Sequence, residues 1–202
     1  MSKRLSTYSA WVVAIAAVAG GLLLLRRNRN STPTLLGAKT YYYPQYDMLN
    51  DSNLARGYRN NNPLNIDYYN SAGKRANNWL GQIGVEPEGR FAQFIDMAHG
   101  YRAALMTMRT YIKKYGLNTV YKIINRWAPA DDGNNPDGYT QRVCKATGLT
   151  RDMVVGINDR DTLTKMAYGM SIVENDDSKH KAANHAAGLP NMEIINQGWE
   201  LI

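Results

Sequence analysis

Cysteine is nearly absent: Cys144 is the only one among 202 residues, so no disulfide can form within the chain. It stands in QRVCKATG, a helical pattern in which a small buried thiol is the expected role. The three histidines, His99, His180 and His185, form no recognisable arrangement with it, which argues against Cys–His chemistry. His180 and His185 lie near Asp176 and Asp177, but a spacing of five does not put both imidazoles on one helical face. No metal and no cofactor are expected.

Acid is missing from the beginning of the chain, where the first acidic residue is Asp47. The net charge of +7 comes from 24 Lys and Arg against 17 Asp and Glu. Five of the cations, Lys3, Arg4, Arg26, Arg27 and Arg29, flank one apolar run, and without them 19 positive side chains face 17 negative ones. The remainder is thus close to neutral and has no basic stripe interleaved with aromatics, so nucleic acid is not an expected partner.

The apolar run is WVVAIAAVAGGLLLL, residues 11–25. As a helix it spans about 22 Å at 1.5 Å per residue, against a hydrocarbon core of about 30 Å. Tyr8 to Ala10 add a turn, and Trp11 and the arginines can reach the interface. A cleavable signal peptide is the rival reading, but arginines directly after the run disfavour cleavage. The expectation is one N-terminal transmembrane helix within a basic-flanked anchor at residues 1–30, with lipid as partner through 11–25, followed by a tether at 31–55 rich in polar breakers.

Beyond the tether the patterns are mainly helical. Asp96 is placed to cap a helix with Met97, Tyr101, Leu105, Met108, Ile112 and Tyr115 on one face and Gly116 past its end. A second helix is expected after Asn118 or Thr119, ending before Pro129, a third from Gly138 to Thr147, and a fourth from Asp159 or Asp161 to Glu174. NWLGQIGVEPEGRFAQF alternates apolar residues around glycines and predicts a small β-hairpin. The fold class is therefore mainly α (α+β). Residues 177–202 read as a solvated C-terminal tail.

Glutamate is scarce: Glu86, Glu88, Glu174, Glu193 and Glu200 are all there are. Glu174 stands where a helix end disfavours negative charge and where Ser171, Ile172 and Val173 can bury it. Both effects raise a carboxyl pKa, as a general acid near neutral pH requires, although a solvated helix end is the alternative. Glu86 and Glu88 bracket Pro87 in the hairpin, with Arg90 near enough to pair with either. The loop of Asp131, Asp132, Asn134, Asn135 and Asp137 does not follow the EF-hand order and reads as a turn.

The run GYRNNNPLNI, residues 57–66, places Asn60, Asn61 and Asn62 side by side. Neutral amides can grip hydroxyl and N-acetyl groups of a sugar, and Tyr58, Tyr68, Tyr69 and Trp79 offer flat faces to sugar rings. The same amides can instead fold onto their own backbone to make a turn.

RNNNPLNI, WLGQIG, GRFAQF, HGYRAAL, NRWAP and SIVEN follow one another in an order that resembles a family of bacteriophage virion and structural proteins. Domains of that family open on Arg-Asn-Asn-Asn-Pro-Gly-Asn and close on a helix ending Glu-Asn-Gly; the match covers residues 56–176. The family is similar to lysozyme-like and glucosaminidase-like peptidoglycan hydrolases, in which a helix-end Glu is the general acid and an Asn-rich turn lines the sugar cleft. The resemblance implies a lysozyme-like helical domain acting on the glycan strand, with Glu174 arriving from the other end of the domain as in a circular permutation. It implies Glu174 and Glu88 as catalytic carboxylates and Arg59, Asn60, Asn61, Asn62, Tyr58 and Trp79 as glycan contacts. Together with the anchor at residues 11–25, it implies a place in a virion or host membrane beside other virion proteins. A non-catalytic structural protein that binds glycan or capsid components is the alternative.

Overall fold

The computed structural model describes residues 48–69, 73–74 and 77–202, all within one compact unit, Pro44–Ile202. The expected anchor at 11–25 and the tether up to residue 47 lie outside the described residues. Among the described residues no helix is long and apolar enough to cross a membrane.

The element order is α1 (Arg56–Arg59), β1 (Gln82–Val85), β2 (Ala92–Phe94), α2 (Met97–Tyr115), α3 (Val120–Trp127), a 3-10 turn at Ala130–Asp132, α4 (Pro136–Thr147), α5 (Arg160–Glu174), α6 (Lys181–Ala186) and α7 (Met192–Glu200). The fold is mainly helical with one small antiparallel sheet. Local chemistry sets the helix limits. The Asp96 carboxylate accepts the His99 N–H at 2.9 Å to open α2, and Gly116, at φ +65°, closes it in the left-handed region. Thr119, Asn135 and Asp159 cap α3, α4 and α5 in the same manner. α4 starts before Gly138 because Asn135 is its cap and Pro136 fits the first turn, where no N–H is needed.

The core is a meeting of helix faces. Tyr101, Leu105 and Met108 of α2, Ile123 and Ile124 of α3, Val143 of α4, Leu163, Met166 and Met170 of α5 and Ile195 of α7 have no exposed surface. Each such side chain contributes roughly 1.5–3 kcal/mol on burial. The Asp131–Asp137 loop is a turn, in which Asn134 donates to the Pro129 carbonyl and Asn135 caps α4.

Residues 177–202 are not a tail. They form α6 and α7, and α7 lies on α2 so closely that a Cβ at Gly198 would come within 2.8 Å of the Ala98 carbonyl oxygen. Ile194, Ile195 and Gly198 read as a docking face only once α2 supplies the opposite surface. The domain also begins ahead of residue 56, since Leu54 and Ala55 are buried.

The hairpin pairs Val85 with Ala92, Gly84 with Gln93 and Gln82 with Phe94, with an irregularity between Gln82 and Gly84. The free edge of β2 is covered by the asparagine segment: Ala92 N–H donates to the Ile66 carbonyl and Phe94 N–H to the Asn60 carbonyl. α2 crosses this segment at Gly100, where any side chain would overlap the Asn61 carbonyl oxygen.

Candidate active site

The last residues of α5 are stapled to the asparagine turn. Asn175, the C-cap, accepts the Gly57 N–H at 3.0 Å and donates to the Pro63 carbonyl at 2.8 Å. With both ends of one side chain bonded to the turn, Glu174 is held beside it, although the two segments are more than a hundred residues apart in sequence.

Glu174 is half-buried and meets neutral donors. Asn65 Nδ2 donates to Oε2 at 3.0 Å and to the Glu174 carbonyl at 3.3 Å, and the Tyr139 hydroxyl donates to Oε1 at 2.9 Å. The nearby Trp127 indole also favours the charged form. Burial is the largest influence on this carboxyl and pushes its pKa up; Asn65, Tyr139, Trp127 and the charge of Arg90 oppose the shift without cancelling it. Tyr139 in turn is pushed well above the usual phenol range by burial and by the neighbouring Glu174 charge, so it stays a donor. Its hydroxyl also lies 3.4 Å from the Met170 carbonyl. When Glu174 takes up a proton, Tyr139 can turn its hydrogen to that carbonyl and accept from the acid. The arrangement suits a carboxyl that gives and takes a proton.

The glycan contacts expected in the turn need correction. Asn60 donates to Glu86 at 2.7 Å and accepts from Gln93 at 3.1 Å; Asn61 donates to the Phe94 carbonyl at 3.1 Å; Asn62 donates to the Ile66 and Ala92 carbonyls, each at 2.9 Å, and accepts the Ile66 N–H. All three side chains are buried and each amide NH2 donates within the protein, which leaves little for a sugar. Asn61 and Asn65 adopt φ of +52° and +51°, a conformation that asparagine tolerates better than most residues. Tyr58 is 1% exposed, with its hydroxyl 3.4 Å from the Ser171 carbonyl, and is core rather than a sugar platform.

Glu88 and Arg59 do not join Glu174. They pair with each other at 2.9 Å and line a groove of about 330 Å³ together with Lys179 and His180. Trp79 packs on Ala92, Phe94 and Ala103 and lines a second groove, of about 550 Å³, with Arg102 and Met106. Glu174 lines neither groove.

Glu86 is the other carboxylate against the turn, and it is 1% exposed. It accepts from Arg56 Nε at 2.8 Å, Asn60 at 2.7 Å and Phe91 N–H at 2.9 Å. Burial raises its pKa, but the Arg56 guanidinium and these donors outweigh that and hold it below the usual range. Its work is to fasten α1, the turn and the hairpin together. Among the described residues no three of His, Cys, Asp and Glu converge as metal ligands would.

Sequence reasoning did not name Asn65, Tyr139 and Trp127 as partners of Glu174. They stood within the quoted RNNNPLNI and NRWAP stretches and at the start of α4. Asp67, two residues past Asn65, pairs with Arg90 at 2.9 Å and so shares a neighbour with Glu174 that Glu88 does not.

Fold and site define a mainly helical protein that holds a single half-buried acid at a helix end against an asparagine-rich turn. No family model matches the chain. Protein P5 of Pseudoalteromonas phage PM2 is 37% identical to it over 121 residues, 60% of this chain and 71% of that protein. The chain belongs to the family of that phage protein.

Proposed function

We propose that the protein is a phage virion component, anchored in a membrane through residues 11–25, that cleaves the glycan strand of peptidoglycan during genome entry or host lysis. The observation that carries this reading is the Glu174 carboxyl, held by Tyr139 and Asn65 and kept protonated by burial to higher pH than a solvated glutamate. Glu174 protonates the bridging oxygen as the bond to the anomeric carbon breaks, and the departing sugar leaves with that proton. In a lytic transglycosylase the 6-hydroxyl of the sugar that keeps the anomeric carbon then closes on that carbon and gives its proton to Glu174. One carboxyl suffices for this cycle, in keeping with the absence of Glu88 from the site. A hydrolytic route would instead recruit a second carboxylate, and Asp67 is the candidate.

The test uses the full chain in detergent with purified peptidoglycan. Soluble fragments carrying anhydro ends are expected, and Glu174→Gln should abolish them. Release that survives this substitution would remove Glu174 from the chemistry.

A second reading has its own support: the amides of the turn are occupied by the framework and Glu174 lines neither groove. A structural virion protein that binds glycan or capsid components without cutting would release no fragments from peptidoglycan, and its binding would be unchanged in Glu174→Gln.

A further inference from the structure

With the asparagines occupied internally, a glycan strand needs another surface beside Glu174. We propose that Trp127, Tyr111 and Tyr115 form that surface, a platform on which sugar rings stack as the strand runs from the acid toward the C-terminal end of α2. This rests on reading Glu174 as an acid that acts on glycan.

Trp127 is the last residue of α3, and its indole lies near enough to the Glu174 carboxyl to favour the charged form, so the platform starts beside the proposed reacting bond. The Trp127 and Tyr111 rings have centroids 6.4 Å apart at 65°, and Tyr111 and Tyr115 follow at 6.5 Å and 62°. Tyr111 and Tyr115 are four residues apart on one helix and therefore share a face. The series moves outward: Trp127 and Tyr111 are half-buried and Tyr115 is 48% exposed, so the outer ring adds little to the core. Sugar rings present C–H faces that match aromatic surfaces, while their hydroxyl and N-acetyl groups seek donors at the edges. Lys114 and Arg126 lie over the Tyr115 ring, 5.3 and 5.6 Å from its centroid, and become such donors once a sugar displaces them from its face. Both are exposed, so moving them aside for a ligand costs little. A repeating, ring-built polymer is the ligand class that fits: the glycan strand itself, with its peptide branches not required, since the lactyl carboxylates of a bare strand suit Lys114 and Arg126.

The experiment uses the full chain carrying Glu174→Gln, so that bound strands survive, and peptide-free glycan strands prepared from peptidoglycan as the probe. Affinity is read from tryptophan fluorescence. Adding Tyr115→Ala should weaken binding about fivefold to tenfold, the scale of one lost ring contact, whereas Tyr115→Phe should retain it. Equal affinity for Tyr115→Ala and its parent would overturn the platform, and fragment release by the unmodified chain would then leave the enzymatic reading standing. Binding that depends on Tyr115 in a chain that releases no fragments would keep the platform and sink the enzymatic reading. Absence of binding in every variant would overturn the platform outright.

Discussion

Glu86 and Glu174 press on the asparagine segment and turn burial to opposite ends. Glu86 has a guanidinium in direct contact, plus the Asn60 amide and a backbone N–H, and is held charged. Glu174 has only neutral donors in contact, with Arg90 acting from farther off, and burial prevails. A carboxylate beside a cation becomes a fastener, and one beside hydroxyl and amide groups becomes an acid that keeps its proton to higher pH than a solvated glutamate.

The largest expected effect that separates the two is on turnover. Glu174→Gln should lower fragment release from peptidoglycan about a thousandfold, the scale of a lost general acid, with the melting curve nearly unchanged. Glu86→Ala should do the reverse. It leaves Arg56 and the Phe91 N–H without their partner and should cost about 3 kcal/mol in denaturant unfolding.

The same contrast appears in pH. Glu86 has its folded pKa below the ordinary 4.5, so its stabilising contribution is full above that value and is lost as pH falls toward the folded pKa. Glu174 has its pKa raised, so its contribution is full below 4.5 and is lost as pH rises through the folded pKa. Unfolding measured across pH should have a shallower acid-side slope in Glu86→Gln, where Asp96 and Asp177 still contribute, and a shallower slope above 4.5 in Glu174→Gln. Slopes unchanged in both variants would break the comparison.

A smaller effect is expected from Tyr139→Phe. Removing a donor to the charged form raises the Glu174 pKa further, so the alkaline limb of the activity profile should move to higher pH, with a loss of about tenfold at the optimum. A limb that moves down, or not at all, would deny Tyr139 its hold on the acid. The smallest effect belongs to Glu88→Gln. Its exposed pairing with Arg59 should be worth below about 1 kcal/mol, and turnover should be retained; a large loss would return Glu88 to the site.

Helix caps and helix faces were legible in the sequence because each depends on residues within a turn of one another. Asp96, Gly116, Thr119 and Asp159 sit where their spacing to the apolar residues requires. Glu174 could be singled out for a similar reason, since a helix end and its preceding apolar residues are local features. The amides were not legible. Asn60, Asn61 and Asn62 suited a sugar as well as a framework, and the choice lay in Glu86, Phe94 and Ala92, some 26 to 33 residues away. α7 was missed because its apolar face is short and acquires meaning only against α2.

The sequence by itself determined where α2, α3 and α5 begin and end and that one glutamate would finish α5, since backbone capping and apolar periodicity act over a few residues. Tertiary structure alone decided which carboxylate received an arginine and which received a tyrosine and an asparagine. Those partners come from segments far apart in the chain, and the balance between burial and a nearby cation exists only once they are packed together.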